Sequence, residues 1–330
     1  MTNKQKIKVG FVALGDHALH SHLKHMLSYT DVEVIGAFDP DRASFHKARQ
    51  DCGADLKNFD SYEAMLGVVE GVIICSPDKF HTDQLAYAAQ KGVHALCEKP
   101  LCIDEKSYEQ LENIFKTAKT VITSCHPRRF DPPYVWVKDN LEKYSLAFGK
   151  VLTVDIDFTY HKPSEAKHGL HGNSLLQDHA NHEIDYVNFL LGPESMTAYK
   201  LADMYDRYEM AGSRKDGVVF RFQGTRRLES RTFAESIRIR FDRGELYINT
   251  YEPNLSYSYN HETRRREAIP AAGKTDYDIR FDKINRNFID AIKQGNAVNY
   301  LKPDEMLLNS KMSIAFHNGG IFNYTHSSSK

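Results

Sequence analysis

The sequence predicts two successive domains: an α/β domain on a parallel sheet over residues 1–125, then an α+β domain with a mainly antiparallel sheet over residues 126–330. Three observations carry this prediction. Runs rich in Val and Ile alternate with amphipathic stretches between residues 6 and 125, the pattern of repeated βαβ units. From residue 148 onward apolar and polar residues alternate over short segments, as in strands with one solvated face. A chain of 330 residues also exceeds what one ordinary core organises.

In chain order, strands are expected near 7–13, 32–38, 70–75, 93–97 and 120–125, with helices near 17–28, 41–51, 79–91 and 104–119 between them. Right-handed crossovers put those helices on both faces of the sheet. His126-Pro127 and Asp131-Pro132-Pro133 interrupt the pattern, which sets the domain boundary near 125 and a helical stretch at 134–144. Strands then follow over Val151–Tyr160, Val218–Phe222, Glu229–Phe233, Ile237–Phe241 and Glu245–Ile248. Helices at Asp178–Leu191, 277–293 and 303–317 complete the second domain.

Bulk properties narrow the function. The chain is 41% apolar and 26% charged, the balance of a folded globular protein. With 43 basic against 44 acidic residues it has no positive field for a phosphate backbone or an anionic bilayer, so neither nucleic acid nor membrane is an expected partner. No apolar run reaches the ~18 residues of a membrane span. The apolar stretch Val9–Leu14 after the polar, basic start is too short for a secretory signal, and a cytoplasmic protein is expected. Five cysteines, Cys52, Cys75, Cys97, Cys102 and Cys125, show no CxxC pair and read as reduced, largely buried thiols.

Between the first strand and the first helix stands Ala13-Leu14-Gly15-Asp16-His17-Ala18, spaced as G-x-G-x-x-[GA]. In a dinucleotide-binding turn Gly15 lets the backbone approach a pyrophosphate, Ala18 permits close packing of helix on strand, and the helix N-terminus supplies amide donors. Ala13 stands where the first glycine would be. Such turns also occur without a ligand, so the spacing alone does not decide. Asp39 ends the second strand, where an acid bonds the adenosine ribose hydroxyls. A 2′-phosphate beside it would meet like charge, which favours NAD over NADP; Arg42 nearby keeps NADP open. Asp39 can equally cap the next helix.

Three further motifs follow in order: Ser76-Pro77-Asp78-Lys79-Phe80-His81, Glu98-Lys99-Pro100, and Asp178-x-x-x-His182 with Asp185 and Leu191-Gly192. Through them the chain resembles, over nearly its whole length, the glucose-fructose oxidoreductase / inositol dehydrogenase / MocA (Gfo/Idh/MocA) family. The resemblance implies an N-terminal Rossmann NAD-binding domain and a C-terminal α+β domain with a large open sheet, its apolar outer face used for a homodimer or homotetramer. It also implies cofactor contacts from Ala13, Leu14, Gly15, Asp16, His17, Asp39, Arg42, Ser76, Pro77, His81, Glu98, Lys99 and Arg128. Ala13, Ser174 and Ala180 replace family glycines, and Pro127 stands where asparagine is common before Arg-Phe.

Oxidising a carbinol needs a base for the hydroxyl proton and a polariser of the developing alkoxide. Lys99, just past the fifth strand, and His182 fit those roles. Asp178, His182 and Asp185 recur at i, i+4 and i+7 and share one helix face; Asp178 sits in the first turn and Asp185 could orient the imidazole. The expected reaction is hydride transfer between nicotinamide and a secondary alcohol or ketone of a sugar, sugar derivative or polyol. Alternatives are a non-catalytic NAD- and sugar-sensing regulator, and a reductase of an imine, bilin or diol. His161, His168, His171 and His179 cluster in sequence, which leaves a zinc-dependent hydrolase as a further alternative, but they lack a recognised metal-ligand spacing, so no metal is expected. Arg128-Arg129 reads as a cofactor or substrate contact, or as buried ion pairing.

Overall fold

The computed structural model describes residues 5–159, 175–192, 194–204, 207–225, 234–318 and 321–325. The chain forms two compact units, one of residues 1–127 with 277–311 and one of residues 128–276 with 312–330.

The first unit contains β1 (Ile7–Val12), β2 (Val32–Phe38), β3 (Lys57–Asn58), β4 (Gly71–Ile74), β5 (His94–Cys97) and β6 (Ile122–Ser124). All pair in parallel, in the order β3-β2-β1-β4-β5-β6. Helices on both faces leave no solvated side, so β4 reads as an unbroken buried run rather than an alternation. The helix after β1 is not regular. Its Ala18–Leu23 segment is a π turn that closes with Lys24 N–H on Leu19 O, then continues as the α-helix Lys24–Ser28. Helices Ala43–Cys52, His81–Gln90 and Glu105–Thr117 match the predicted ones within a few residues. The two-residue β3 and the short helix Tyr62–Leu66 were not foreseen, being too short to show a period.

The helix Tyr277–Gln294, assigned from sequence to the second domain, is grouped with the first unit. Its apolar face, Phe281, Ile284, Phe288 and Ile289, is fully or nearly fully buried. A Cβ on Gly71 of β4 would lie 2.9 Å from Ile292 Cδ1 and 3.3 Å from Phe288 Cζ, so the absent side chain is what lets this helix close on the strand. Asn285 Nδ2 donates to Ser21 O at 2.8 Å, and Arg286 and Lys293 both pair with Asp31.

The second unit contains β7 (Val151–Thr159), β8 (Met196–Met204), β9 (Arg207–Arg214), β10 (Val219–Thr225), β11 (Ala234–Phe241), β12 (Gly244–Asn249), β13 (Tyr257–Asn260), β14 (Arg265–Ala268) and β15 (Ile321–Tyr324). They order as β14-β13-β12-β11-β7-β10-β9-β8-β15. Only the β7–β10 pair among them is parallel. The expected strand Glu229–Phe233 lies outside the described residues. Pro132 and Pro133 do not precede a helix but open it, as the first residues of Pro132–Phe148, where a missing N–H costs no hydrogen bond. Val154, Ile156, Phe220, Phe222, Ile237, Ile239, Leu246 and Ile248 line the inner face, against which the helix Leu175–Leu191 packs at β8, β9 and β10. The outer face is not the apolar surface expected. Asp155 faces Arg221 and Arg238 across the ladder and pairs with Arg240, while Arg238 pairs with Glu245 at 3.1 Å. Apolar side chains on that face, Tyr199, Val219 and Ile321, lie toward the β10–β15 side.

Candidate functional site

Strand β1 is flanked by β2 and β4, whose crossovers leave it in opposite directions, and in open α/β sheets ligands bind at the strand carboxyl ends beside that reversal. The turn 13–18 leaves β1 there. Ala13 adopts φ 65°, the left-handed region that glycine enters without strain; the residue that departs from the glycine pattern therefore sits where the pattern needs glycine. Asp39 holds the turn: its Oδ2 accepts from Leu14 N–H at 2.8 Å and its Oδ1 from Asp41 N–H at 2.8 Å. Asp41, not Asp39, bonds the first amides of the next helix, through Ala43 N–H. A Cβ on Gly15 would meet no atom within 4 Å, so packing within the chain does not call for glycine there, whereas a phosphate approaching the backbone would. Asp16 and Arg42 are exposed, and Asp16 pairs with Lys47 at 3.0 Å.

At the ends of β4 and β5 lie the other sequence candidates of this unit. His81 is buried and bridges two loops, with Nε2 2.7 Å from Ser76 O and Nδ1 2.7 Å from Pro100 O. Ser76 Oγ donates to Gln84, and Pro77 is exposed. His81 thus fixes the Ser76-Pro77 turn relative to the Glu98-Lys99-Pro100 segment. Lys99 is half-buried; its backbone N–H donates to Glu98 Oε2 at 3.3 Å.

Glu98 Oε1 receives two histidines, with His17 Nε2 at 2.8 Å and His22 Nε2 at 2.9 Å. Burial alone would raise the Glu98 carboxyl, but His17 and His22 together hold it well below its ordinary value. The Cys125 thiol is pushed well up by burial and by the adjoining Glu98 carboxylate. Sequence reasoning named His17 and Glu98 and missed His22, because positions five apart lie about 140° apart on a regular α-helix; the π turn brings them together. Among the described residues this trio is the one group of His, Cys, Asp and Glu side chains arranged to hold a metal ion. All five cysteines are free thiols.

The second unit carries the remaining candidates. His182 is half-buried on the helix Leu175–Leu191, its ring edge-on to His179 at 5.5 Å. The Asp178 side chain, His161, His168 and His171 lie outside the described residues. Asp185 is fully buried and is held bidentately by Arg129, at 2.9 Å from Nε and 2.8 Å from Nη2, which gives its carboxylate a partner other than the one anticipated. Arg128 is buried in the same core, where Nη2 donates to Glu183 at 3.0 Å and to Glu235. Ion pairing, not cofactor contact, accounts for Arg128 here, since an uncompensated glutamate pair in that interior would be costly. Burial opposes the Glu183 charge, but Arg128 and His179 bring its pKa down to about 2.

Residues 7–126 match the model of an oxidoreductase family with an NAD-binding Rossmann fold, GFO_IDH_MocA. The chain is 29% identical to inositol 2-dehydrogenase 4 of Saccharopolyspora erythraea, over 59% of this chain and 56% of that protein. It is 26% identical to UDP-N-acetylglucosamine 3-dehydrogenase of Acidithiobacillus ferrooxidans, over 62% and 61%. The chain spans about half the length of the curated relatives it matches. The crystal structure of myo-inositol 2-dehydrogenase from Lactobacillus plantarum superposes with a TM-score of 0.76 at 17% identity, covering 97% of this chain and 100% of the other, which shows a shared fold. No helix among the described residues is long and apolar enough to cross a membrane.

Proposed function

We propose, from the match of residues 7–126 to the NAD-binding Rossmann model of the Gfo/Idh/MocA oxidoreductases, that the chain is an NAD-dependent dehydrogenase acting on a secondary alcohol of a polyol or sugar derivative. The observation that carries this reading is the Leu14–Asp39 hydrogen bond. It ties the turn that would approach the phosphates to the acid that would meet an adenosine ribose, which supports reading the two as halves of one dinucleotide grip. Bound nicotinamide would accept the hydride. The rest of the work falls to the chain. Lys99, past the end of β5, would hold the substrate oxygen and stabilise its developing charge. His182 would carry the hydroxyl proton, with Asp178 four positions earlier in the same helix. Ala13–His17, Asp39, Arg42, Ser76, Pro77, His81 and Glu98 would shape the cofactor site, directly or by holding its turns.

The names of the relatives support inositols and nucleotide sugars as the substrate class to try first. A screen of NADH production against inositols, free sugars and nucleotide sugars tests the proposal. Turnover of at least one is expected. NADH binding without turnover of any would leave a cofactor-binding sensor instead. We further infer a reducing, cytoplasmic setting from the free thiols, and a homo-oligomer formed through the β10–β15 side of the second sheet's outer face, where Tyr199, Val219 and Ile321 are exposed, testable by light scattering.

A further inference from the structure

We propose that His17, His22 and Glu98 form a three-ligand site for a divalent cation of the Zn2+ class, within the first unit. His17 Nε2 and His22 Nε2 both lie within 3 Å of Glu98 Oε1, and the three ligand atoms fall within 4.8 Å of one another. Two imidazoles and one carboxylate are a known ligand set for Zn2+ sites that keep an open position. Bonds of about 2.0–2.2 Å would spread the ligand atoms to roughly 3.3 Å apart in a tetrahedral arrangement, a shift of about half an ångström from the present contacts.

The surroundings orient the ligands as a metal site requires. Asn285 Nδ2 donates to Ser21 O and Phe281 O, each at 2.8 Å, so its Oδ1 is the atom facing His22 Nδ1 at 2.8 Å. That oxygen can only accept, which puts the hydrogen of His22 on Nδ1 and, in the neutral ring, a lone pair on Nε2. A second-layer acceptor of this kind fixes tautomer and ring orientation at metal-bound histidines. With Nδ1 so occupied, the contact of His22 Nε2 with Glu98 Oε1 at 2.9 Å is satisfied either by a second ring proton, the state in which His22 helps to hold the Glu98 carboxyl low, or by a cation coordinated by both atoms. Ser21 Oγ holds His17 Nδ1 at 3.0 Å and is itself held by Tyr277. His22 is fully buried and Glu98 nearly so, while the His17 side chain is 48% exposed. A cation would therefore enter, and keep its free position, on the His17 side. The π turn is what makes the site: five-residue spacing meets on one side only when the helix is locally widened, and such turns are frequent at functional sites.

A proton on His22 Nε2 would satisfy the same contact, so the measurement must tell a proton from a metal. Cofactor-free protein is titrated with Co2+ and with Zn2+ after chelation, followed by visible Co2+ absorption and by equilibrium dialysis. The expectation is one Co2+ per chain in a low-coordinate environment, displaced by one Zn2+. His17→Ala should weaken binding at least about tenfold, and Glu98→Gln should do the same, whereas His20→Ala, a neighbouring exposed histidine outside the trio, should not. Absence of stoichiometric binding, or equal weakening by His17→Ala and His20→Ala, overturns the proposal. The nicotinamide reading shares His17 and Glu98 but is measured separately, by NADH titration of the same protein without metal.

Discussion

Asp39 Oδ2 accepts the backbone N–H of Leu14 at 2.8 Å, so the acid at the end of β2 is also the brace of the turn that follows β1. A carboxylate has about four acceptor sites, and the amides of Leu14 and Asp41 use two of them, leaving capacity for a ribose diol. NADH is therefore expected to bind more tightly than NADPH, whose phosphate would meet the Asp39 charge. Asp39→Ala should weaken NADH binding by removing both the brace and the acceptor. Fluorescence titration decides, and a preference for NADPH in the wild-type protein would contradict the assignment.

Ala13 at φ 65° is a strained residue in the turn itself. Relief of that strain is worth about 1–2 kcal/mol, and the extra freedom glycine has in the unfolded chain offsets about 0.4–1 kcal/mol of it. Ala13→Gly is accordingly expected to stabilise the protein by roughly 0.5–1 kcal/mol. Urea denaturation would show the midpoint rise; a fall would mean that the Ala13 methyl makes contacts that outweigh the strain.

Replacing His182 with Asn keeps size and some hydrogen bonding but removes the titrating group. If His182 carries the hydroxyl proton, turnover of a confirmed substrate should drop by something like 10²–10⁴-fold, with NADH binding retained. Unchanged turnover would dismiss this role, and a parallel loss of NADH binding would point to structural damage instead.

Glu183 links stability to acid. Its pKa of about 2 in the folded protein lies below the ordinary value of about 4.5, so its stabilising contribution is fully present above pH 4.5 and is lost as pH falls toward 2. The shift corresponds to about 3 kcal/mol. Glu183→Gln should flatten the slope of unfolding free energy between pH 4.5 and 2, and should cost stability at neutral pH because Arg128 loses one of two partners. Coincident slopes for the two proteins would show that other groups dominate acid unfolding.

Local periodicity and turn chemistry made much of this molecule legible in advance. Five of the six parallel strands, the helices between them, the turn at Ala13–Ala18 and Asp39 at the end of β2 could be read because each depends on residues near one another in the chain. The Glu98-Lys99-Pro100 and Asp178/His182 motifs were legible for the same reason. Packing over long separations was not. Nothing near residue 277 says that the following helix closes on Gly71 and Ser21. Arg128, Glu183 and Glu235 come from three distant segments, and only their common burial turns a possible ligand-binding arginine into the centre of an ion-paired core. The spacing of His17 and His22 argues against a shared face until one helical turn widens to the π form. Most of the elements and the turn at Ala13–Ala18 rest on local information and could be read along the chain; which charged and polar groups meet depends on which segments share an interior where an unpaired charge cannot be left, and that emerges only once the chain is folded.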